Sequence, residues 1–289
     1  MQSDDENQLG QFIPLHYHHH MLGDDARTSA FKSALNQVVP LGGRVLELGS
    51  GTGVLSFFAA QRAYQVIAVE YNPALVRASR IILERNGVAG KVTVLQADGS
   101  SYTPDEPVDV VICEMLHSAL LREKQLEVIR KFKAKYLARF GRLPRFVPEA
   151  TILAAQPLNQ NYDYQGYKAA VPLFQDAGGQ SPRSLALGDA VSYATIDYLG
   201  AIPERFEETV RCPISNHGDI NAIRFITKNL LAILPEEKRS IDWYNQHLVL
   251  PLQSPISAEA GDTLEIRFAY SAGGPIEMLS ESLRCELIE

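Results

Sequence analysis

Cysteine is scarce in this sequence, and long apolar runs are absent. The 289 residues include three cysteines, Cys113, Cys212 and Cys285, without the spacing of metal ligands. Neither a disulfide framework nor a zinc or other metal site is therefore predicted. No apolar run reaches the roughly 18 residues that cross a membrane, and the N-terminus is acidic rather than a basic secretory leader. We expect a cytoplasmic protein without membrane contacts.

Positive charge is also in short supply. The formal net charge is −7 and the isoelectric point is about 5.6, which argues against a broad basic surface, so no nucleic-acid partner is expected. Because a negative field attracts cations at long range, the composition favours a cationic or neutral substrate. Hydrophobic residues make up 46% of the chain and charged residues 21%, values that predict a packed globular core.

Strand-like and helix-like segments alternate in the first half of the chain. Residues 1–14 are polar and acidic and are expected to be flexible, and apolar residues then recur at helical spacing from Leu15 to about Val39. Predicted strands and helices follow in turn, at 44–48, 54–62, 65–70, 73–86, 92–97, 108–113 and 120–140. This alternation is typical of a parallel sheet covered by helices, and it predicts an α/β domain over residues 15–147.

The pattern changes after Pro148, where strand-like alternation dominates. Predicted strands lie at 151–155, 208–212, 221–226, 247–250, 263–270 and 283–288. Residues 148–289 are therefore predicted to form a second, mostly β, barrel-like domain. Within it, the segment 174–190 is rich in Gly, Pro, Ser and Gln and is predicted to be an exposed loop or arm.

A glycine-rich turn follows the first predicted strand. Gly49, Gly51 and Gly53 stand at alternate positions before a helix, and glycine allows the backbone to turn sharply and approach a ligand. The spacing is G-x-G-x-G, whereas a dinucleotide fingerprint is G-x-G-x-x-G. Glu70 ends the second strand about 20 residues on, where an acid can take ribose hydroxyls, as in dehydrogenases too. The turn alone leaves a nicotinamide or flavin cofactor, or a purely structural turn, as alternatives.

The run Glu-Leu-Gly-Ser-Gly-Thr-Gly, residues 47–53, resembles motif I of the class I methyltransferases, which have a Rossmann-like fold. The resemblance implies that the chain binds S-adenosyl-L-methionine, with four motif residues around the cofactor: Glu47, Gly49, Gly51 and Gly53. It also implies that Glu70 holds the ribose and that Asp98, just past the third strand, lies beside the adenine.

The segment before the first strand resembles the N-terminal helix of the protein arginine methyltransferases. It reads His-His-His-Met-Leu-Gly-Asp-Asp-Ala-Arg-Thr-Ser-Ala-Phe over residues 18–31, and that family reads His-x-x-Met-Leu-x-Asp-x-x-Arg-Thr-x-x-Tyr. The resemblance implies that Arg27 meets the carboxylate of the cofactor's methionine moiety through a charge-assisted contact. It places His18 and Met21 near the reaction centre. Without the family, Arg27 is one charge on an amphipathic helix.

Two glutamates follow the fourth predicted strand, nine positions apart. Glu114 and Glu123, with Leu-Leu shortly before the second, resemble the double-glutamate hairpin of the same family. Guanidinium is planar, always charged and delocalised, and is therefore a poor nucleophile. A carboxylate pair can hold it, localise its positive charge away from the attacking nitrogen and aim that nitrogen at the sulfonium methyl. Taken alone, Glu123 could equally be a solvated carboxylate at a helix start.

The chain also departs from that family. His117 stands where the hairpin has a glycine, and Arg122 stands where it has a tyrosine. The only tryptophan, Trp243, falls on the family's Thr-His-Trp loop, so the resemblance places it at the site, with barrel core as the alternative. Asp242 replaces the histidine of that loop, which borders the substrate site in the family.

Three functions follow from these observations. The first is methyl transfer to a guanidinium nitrogen in a protein or peptide acceptor. The second is a small-molecule N- or O-methyltransferase on the same scaffold, with His117 or His18 as general base. The third is a non-catalytic, cofactor-binding partner subunit. The resemblance further implies a homodimer, in which an arm near 174–190 lies on the partner's cofactor domain.

Overall fold

A computed structural model describes Leu15 and residues 18–179 and 181–288, and the predicted flexible segment 1–14 lies outside these residues. Helices of the described part are α1 (His18–Gly23), α2 (Asp25–Val38), α3 (Val54–Ala60), α4 (Pro73–Arg85), α5 (Gln125–Phe140) and α6 (Ile276–Ser282). None of the helices in the described ranges has the length and apolarity to cross a membrane.

The predicted N-terminal helix is divided in two at Asp24. The Asp24 side chain accepts a hydrogen bond from the backbone N–H of Arg27 at 2.8 Å and so caps the start of α2. The apolar face of α2 is then buried through Phe31 and Leu35, against α3 on one side and against the second half of the chain, at Trp243, on the other. As a result, α1 is a short separate element that can lie across the top of the sheet.

Five parallel strands form the centre of the first domain. They are β1 (Arg44–Leu48), β2 (Gln65–Glu70), β3 (Val92–Gln96), β4 (Val110–Cys113) and β5 (Arg145–Val147). Their order is β3-β2-β1-β4-β5, with every neighbouring pair parallel. The strand order reverses between β1 and β4, and ligands of open α/β sheets bind at the carboxyl ends of strands beside such a switch.

The helix predicted from residue 120 begins later, at Gln125. Ala119, Leu120 and Arg122 have left-handed backbone angles, with φ of 56°, 56° and 61°, which no α-helix accommodates. Long-range hydrogen bonds hold this conformation: the N–H of Arg122 donates to the carbonyl of Gly274 at 2.8 Å, and the N–H of Gly273 donates to that of Leu120 at 2.9 Å. Tertiary contacts thus override the helical pattern and leave Glu123 in a loop.

Antiparallel strands build the second half of the chain. The seven-stranded sheet contains β6 (Ala150–Gln160), β9 (Leu173–Gln175), β10 (Ser184–Ala186), β11 (Val191–Asp197), β13 (Gly218–Leu234), β14 (Arg239–Tyr244) and β15 (His247–Ala258). A hairpin is formed by β7 (Asp163–Tyr164) and β8 (Tyr167–Lys168), and a three-stranded sheet by β12 (Arg205–Pro213), β16 (Thr263–Ser271) and β17 (Arg284–Ile288).

The two antiparallel sheets pack through a cluster of aromatic rings. The ring centroid of Tyr193 lies 5.0 Å from that of Phe268 and 6.3 Å from that of Phe225, in edge-to-face geometry. Aromatic pairs prefer this geometry. The α/β half and the mostly β half confirm the predicted fold class.

The segment 174–190 was predicted as a loop or arm, but part of it belongs to the seven-stranded sheet. Strand β9 pairs with β15 at one edge, and β10 pairs with β6 at the other. Phe174 and Asp176 are thereby brought to the junction of the two halves, beside the carboxyl ends of the parallel strands.

Candidate functional site

One cavity of about 900 Å³ lies at the carboxyl ends of the parallel strands, where they meet the β domain. Eleven of the twelve predicted site residues line it: His18, Met21, Arg27, Glu47, Gly49, Gly51, Glu70, Asp98, Glu114, Glu123 and Trp243. The fold therefore brings the predicted cofactor residues and the predicted acceptor residues into one continuous space.

The glycine turn forms one wall of this cavity. The N–H of Gly51 donates to Glu70 Oε2 at 2.9 Å, and the N–H of Asn72 donates to Glu70 Oε1 at 2.8 Å, so the carboxylate is fixed at the tip of β2. Gly51 has a φ of +53°, and a Cβ atom there would lie 2.7 Å from Cε1 of His18. Helix α1 therefore lies directly on the turn.

Gly53 is the predicted site residue that does not line the cavity. It precedes α3 with a φ of +83°, and a Cβ atom there would lie 3.0 Å from a methyl carbon of Leu83. The close approach of α3 to α4 explains why a glycine is needed here. Gly53 lies on the side of the turn that faces α4 rather than the cavity, and its assignment to cofactor binding stays a prediction.

Asp98 marks the third strand end on the same wall. Its carboxylate accepts hydrogen bonds from the N–H and the hydroxyl of Ser100, both at 2.8 Å. Glycine backbone, the Glu70 carboxylate and the Asp98 carboxylate thus stand at the ends of three adjacent strands. This arrangement fits an adenosyl group bound along the sheet edge, with its ribose diol at Glu70 and its adenine beside Asp98.

Glu47 is a buried carboxyl below the turn, with 2% of its surface exposed. It is the fourth residue of β1, and the hydroxyl of Ser56 on α3 donates to its Oε2 atom. Burial disfavours the charged form and raises the pKa of Glu47 to about 8, against the lowering effect of the Ser56 hydrogen bond.

Arg27 joins the two sides of the cavity. The residue is 6% exposed, and its guanidinium forms an ion pair with Glu114 and donates to the carbonyl of Met21 at 3.2 Å. It also lies 5.7 Å from the ring centroid of Phe31 and 6.0 Å from that of Trp243, distances typical of cation–π contacts. The family resemblance assigns Arg27 to the cofactor carboxylate, whereas its partner within this chain is a predicted acceptor residue.

Glu114 and Glu123 enter the cavity from the loop between β4 and α5. Burial raises the pKa of Glu123 to about 8, and the nearby negative charge of Glu114 raises it further. Glu47, Glu114 and Glu123 lie close together around Arg27, and the positive charge of Arg122 also lowers the pKa of Glu123. A positively charged ligand would stabilise the ionised forms of these buried carboxyl groups.

Residues of the β domain complete the cavity, and local sequence patterns did not identify them. Phe174 of β9 packs edge-on against His117 with 5.4 Å between ring centroids. Asn245 and Gln246, at the turn before β15, line the same wall. Burial lowers the pKa of His117 to about 4, so its imidazole is neutral near pH 7. The sequence identifies His117 as a departure from the family's hairpin, but only the fold shows that its ring packs against Phe174.

Asp242 does not take the place of the histidine that borders the site in the family. Successive residues of a strand face opposite sides of the sheet. Trp243 therefore faces the cavity, where it is 9% exposed, while Asp242 faces away and its Oδ2 pairs with Lys228 Nζ at 2.7 Å. Trp243 is both buried core and cavity wall, so the two interpretations of its role are compatible.

Known proteins share the sequence pattern of this chain. The family model of the methyltransferase domain matches residues 45–135. A protein of Methanothermobacter thermautotrophicus, itself described as uncharacterized, is 31% identical over 271 residues, which cover 92% of this chain and 97% of that protein. The arginine N(omega)-methyltransferase of Streptomyces achromogenes subsp. streptozoticus is 25% identical over 279 residues, which cover 88% of this chain and 76% of that protein.

A solved structure shares the fold. The Trypanosoma brucei PRMT1 enzyme–prozyme heterotetrameric complex with AdoHcy matches with a TM-score of 0.73 and 17% identity, over 94% of this chain and 98% of that chain. An identity this low shows a common fold, in which an α/β methyltransferase domain precedes a β domain.

The glycine turn, the acids at the strand ends and these likenesses together define the class. The chain belongs to the S-adenosylmethionine-dependent methyltransferases, and S-adenosyl-L-methionine is its cofactor. Within that class it resembles the protein arginine methyltransferases and diverges in the glutamate loop and at Asp242. The protein is an enzyme, so the alternative of a non-catalytic partner subunit is set aside.

Proposed function

We propose that the enzyme transfers the methyl group to a guanidinium nitrogen of arginine. The observation that carries this proposal is the position of Glu114 and Glu123, which face one cavity from a single loop. Two carboxylates match the two N–H edges of a planar guanidinium, and a bidentate pair fixes orientation as well as charge.

The electrostatics of the loop support a cationic acceptor. Glu123 has a pKa raised to about 8 because it is buried and close to Glu114. A bound guanidinium would favour the ionised form of Glu123 and offset that penalty. With the carboxylates on two N–H edges of the guanidinium, positive charge is held away from the nitrogen that faces the cofactor, and that nitrogen keeps its lone pair.

The cofactor supplies an activated methyl group on sulfur. In this proposal Glu70 and Asp98 hold the adenosyl group along the strand ends, and Glu47 and Arg27 lie at the methionine end. His18, Met21 and Trp243 enclose the space between the two ligands, which excludes water and holds the reacting atoms in line. The methyl group would pass directly to nitrogen as its bond to sulfur breaks and leaves a thioether, and the nitrogen would lose a proton to one of the two glutamate carboxylates, without a covalent enzyme intermediate.

Free arginine is the second candidate acceptor, as a small molecule rather than a peptide. Phe174 and His117 pack together and form a wall of the cavity beside the glutamate loop. The Streptomyces relative, similar over 88% of this chain, carries arginine and its ω-nitrogen in its name. A neutral His117 with a pKa of about 4 is a weak base, so the geometry favours a guanidinium over a hydroxyl that needs deprotonation.

We also propose a homodimer, as the family resemblance implies. Exposed apolar side chains lie on and near the segment 174–190, including Tyr167 and Leu185, at 73% and 57% exposure. Such side chains favour burial against another surface. Light scattering coupled to size-exclusion chromatography should give twice the chain mass of 32.0 kDa, and a monomeric mass at micromolar concentration would contradict this assembly.

The decisive experiment follows labelled methyl from S-adenosyl-L-methionine into free L-arginine, an arginine-containing peptide and a lysine-containing peptide. We expect labelling of an arginine acceptor only, and a loss of roughly 100-fold or more in Glu114→Gln. Cofactor affinity, measured by calorimetry, should stay within a few-fold because Glu114 is assigned to the acceptor.

Glu149→Gln is a matched control for this variant. Glu149 is also paired with an arginine, since Arg145 Nη2 lies 2.6 Å from its Oε1 atom, but it stands outside the cavity. Its substitution should leave turnover nearly unchanged. Full activity of Glu114→Gln would remove the carboxylate pair from the mechanism, and label in neither arginine acceptor would exclude arginine.

A further inference from the structure

A buried glutamine bridges the backbone on both sides of Glu114. Gln125 is the first residue of α5 and is 1% exposed. Its Nε2 atom donates to the carbonyl of Cys113 at 2.7 Å, and its Oε1 atom accepts from the N–H of Met115 at 2.9 Å. One side-chain amide thus binds the residues immediately before and after the glutamate.

This arrangement restricts the direction of the Glu114 side chain. Each side-chain amide has one acceptor and two donor hydrogens, and Gln125 uses both kinds on adjacent peptide groups. The bridge takes the place of a strand neighbour beyond the end of β4 and fixes the backbone angles of Glu114. Backbone angles determine which rotamers are allowed, and so the carboxylate is aimed by the amide.

Tyr198 of the β domain lies beside Gln125. A buried chain of hydrogen bonds runs from Tyr198 to Thr151 at 2.8 Å and from Thr151 to Asn229 at 2.9 Å. It continues from Asn229 to Asn245 at 2.9 Å and ends where Asn245 Nδ2 donates to the carbonyl of Leu116 at 3.0 Å. The loop that carries Glu114 is therefore tied to the β domain at Leu116, and the other end of the same network lies beside Gln125.

We propose that Gln125 is a positioning residue for methyl transfer, which sets the Glu114 carboxylate for the acceptor. This inference rests on the proposed role of Glu114 in the acceptor site. The amide itself touches neither ligand in this proposal, and its effect passes through the backbone of Cys113 and Met115. A misplacement of the reacting groups by about 1 Å can cost about 100-fold in rate, so the loss of the Gln125 bridge should have a measurable effect on turnover.

The test compares substitutions of similar size. Gln125→Met keeps the length of the side chain but removes both hydrogen bonds. Gln160→Met is the matched control, because Gln160 is also buried, at 3% exposure, accepts from Gln175 Nε2 at 2.8 Å and does not itself line the cavity. For each variant we measure kcat and KM, the cofactor affinity and the melting temperature. The acceptor is L-arginine or the arginine-containing peptide, whichever the wild-type enzyme labels.

We expect kcat of Gln125→Met to fall by about tenfold or more. Its cofactor affinity should stay within about twofold of the wild type, and Gln160→Met should keep wild-type turnover. The melting temperature of both variants should fall, since both lose a buried amide network. The split between kcat and cofactor affinity separates positioning from a general loss of structure.

Gln125→Glu adds a readout that a purely structural role would not give. A protonated carboxyl can donate to the Cys113 carbonyl and accept from the Met115 N–H, whereas an ionised one can only accept. The ratio of its kcat to that of the wild type should therefore fall as pH rises.

Three results would overturn the inference. If Glu114→Gln is inactive but Gln125→Met turns over like the wild type, Gln125 does not position Glu114, and the proposed function stands. If Glu114→Gln is fully active, the proposed function and this inference fail together. The third result combines two observations. The ratio of the kcat of Gln125→Glu to that of the wild type does not change with pH, and Gln125→Met loses kcat and cofactor affinity in proportion. Together they would show that Gln125 has a structural role only.

Discussion

Two sides of the cavity are built in different ways. The glycine side, defined by Gly49, Gly51, Glu70 and Asp98, follows directly from the ends of three neighbouring parallel strands. The glutamate side, defined by Glu114, Glu123, Trp243 and Phe174, combines one loop of the α/β domain with two strands of the β domain. The first depends on local geometry and the second on how the domains pack. A family can therefore keep its cofactor while its acceptor changes.

The carboxylates of the two sides also differ in their partners. Glu70 accepts from the N–H groups of Gly51 and Asn72, which are backbone donors that do not move away. Glu114 is paired with the side chain of Arg27, and Glu123 has a pKa raised to about 8 by burial. The glycine side is thus organised in advance, whereas in the proposed function a cationic acceptor completes the glutamate side.

The largest effect is expected from Gly51→Val. A side chain there conflicts with the φ of +53° and would meet the ring of His18 at 2.7 Å. It would displace the turn or α1, so calorimetry should show cofactor affinity reduced by on the order of 100-fold or more.

Gly90→Val is the control for the glycine substitution. The position of a Cβ atom at Gly90 has no neighbour within 4 Å, so this variant should bind the cofactor normally. Unchanged cofactor binding in Gly51→Val, with an intact circular-dichroism spectrum, would remove the glycine turn from the binding site.

A smaller loss, of order 100-fold in kcat/KM for the acceptor, is expected from Glu123→Gln. Because the pKa of Glu123 is raised to about 8, the wild-type enzyme holds the cation-binding, ionised form only at higher pH. Its kcat/KM should therefore rise as pH increases toward and through about 8, and the variant should lack this limb. A pH profile that is the same in both proteins would show that Glu123 does not titrate in the acceptor site.

The smallest effect is expected in stability, from Glu47→Gln. The folded state keeps a proton on Glu47 between its ordinary pKa of about 4.5 and the raised value of about 8, while the unfolded chain has lost it. Wild-type stability therefore falls as pH rises through this window, and a glutamine does not share that loss.

The melting temperature of Glu47→Gln should equal that of the wild type near pH 4.5 and exceed it by about 2 °C or more at pH 8. Cofactor affinity should fall at the same time, since Glu47 is assigned to the methionine end of the cofactor. An equal or lower melting temperature at pH 8 would mean that the buried carboxyl is not destabilised by its surroundings.

Buried parallel strands could be located from the sequence, but the loop after β4 could not. The apolar runs that became β1 to β4 end within two residues of their predicted bounds, because strands buried on both faces are continuously apolar. Residues 120–124 were predicted to be helical. Their left-handed angles depend on hydrogen bonds to Gly273 and Gly274, which lie far away in the sequence.

The candidate site shows the same limit. Eleven predicted residues meet in one cavity, because the motifs that suggested them each lie at a strand end or on the helices over it. Phe174 had no motif, and its place follows from the pairing of β9 with β15. Gln125 looked like any polar residue of an amphipathic helix, and only its contacts with Cys113 and Met115 distinguish it.

By itself, the sequence determined the domain order, the S-adenosylmethionine cofactor class and the presence of two glutamates that suit a guanidinium. These are properties of short segments, in which glycine spacing, apolar runs and residue type carry the information. Only the tertiary structure decided that Arg27 pairs with Glu114, that Gln125 bridges the backbone around it, and that Glu123 is buried enough to raise its pKa. Those features depend on burial and on contacts between distant segments, and local patterns do not encode either.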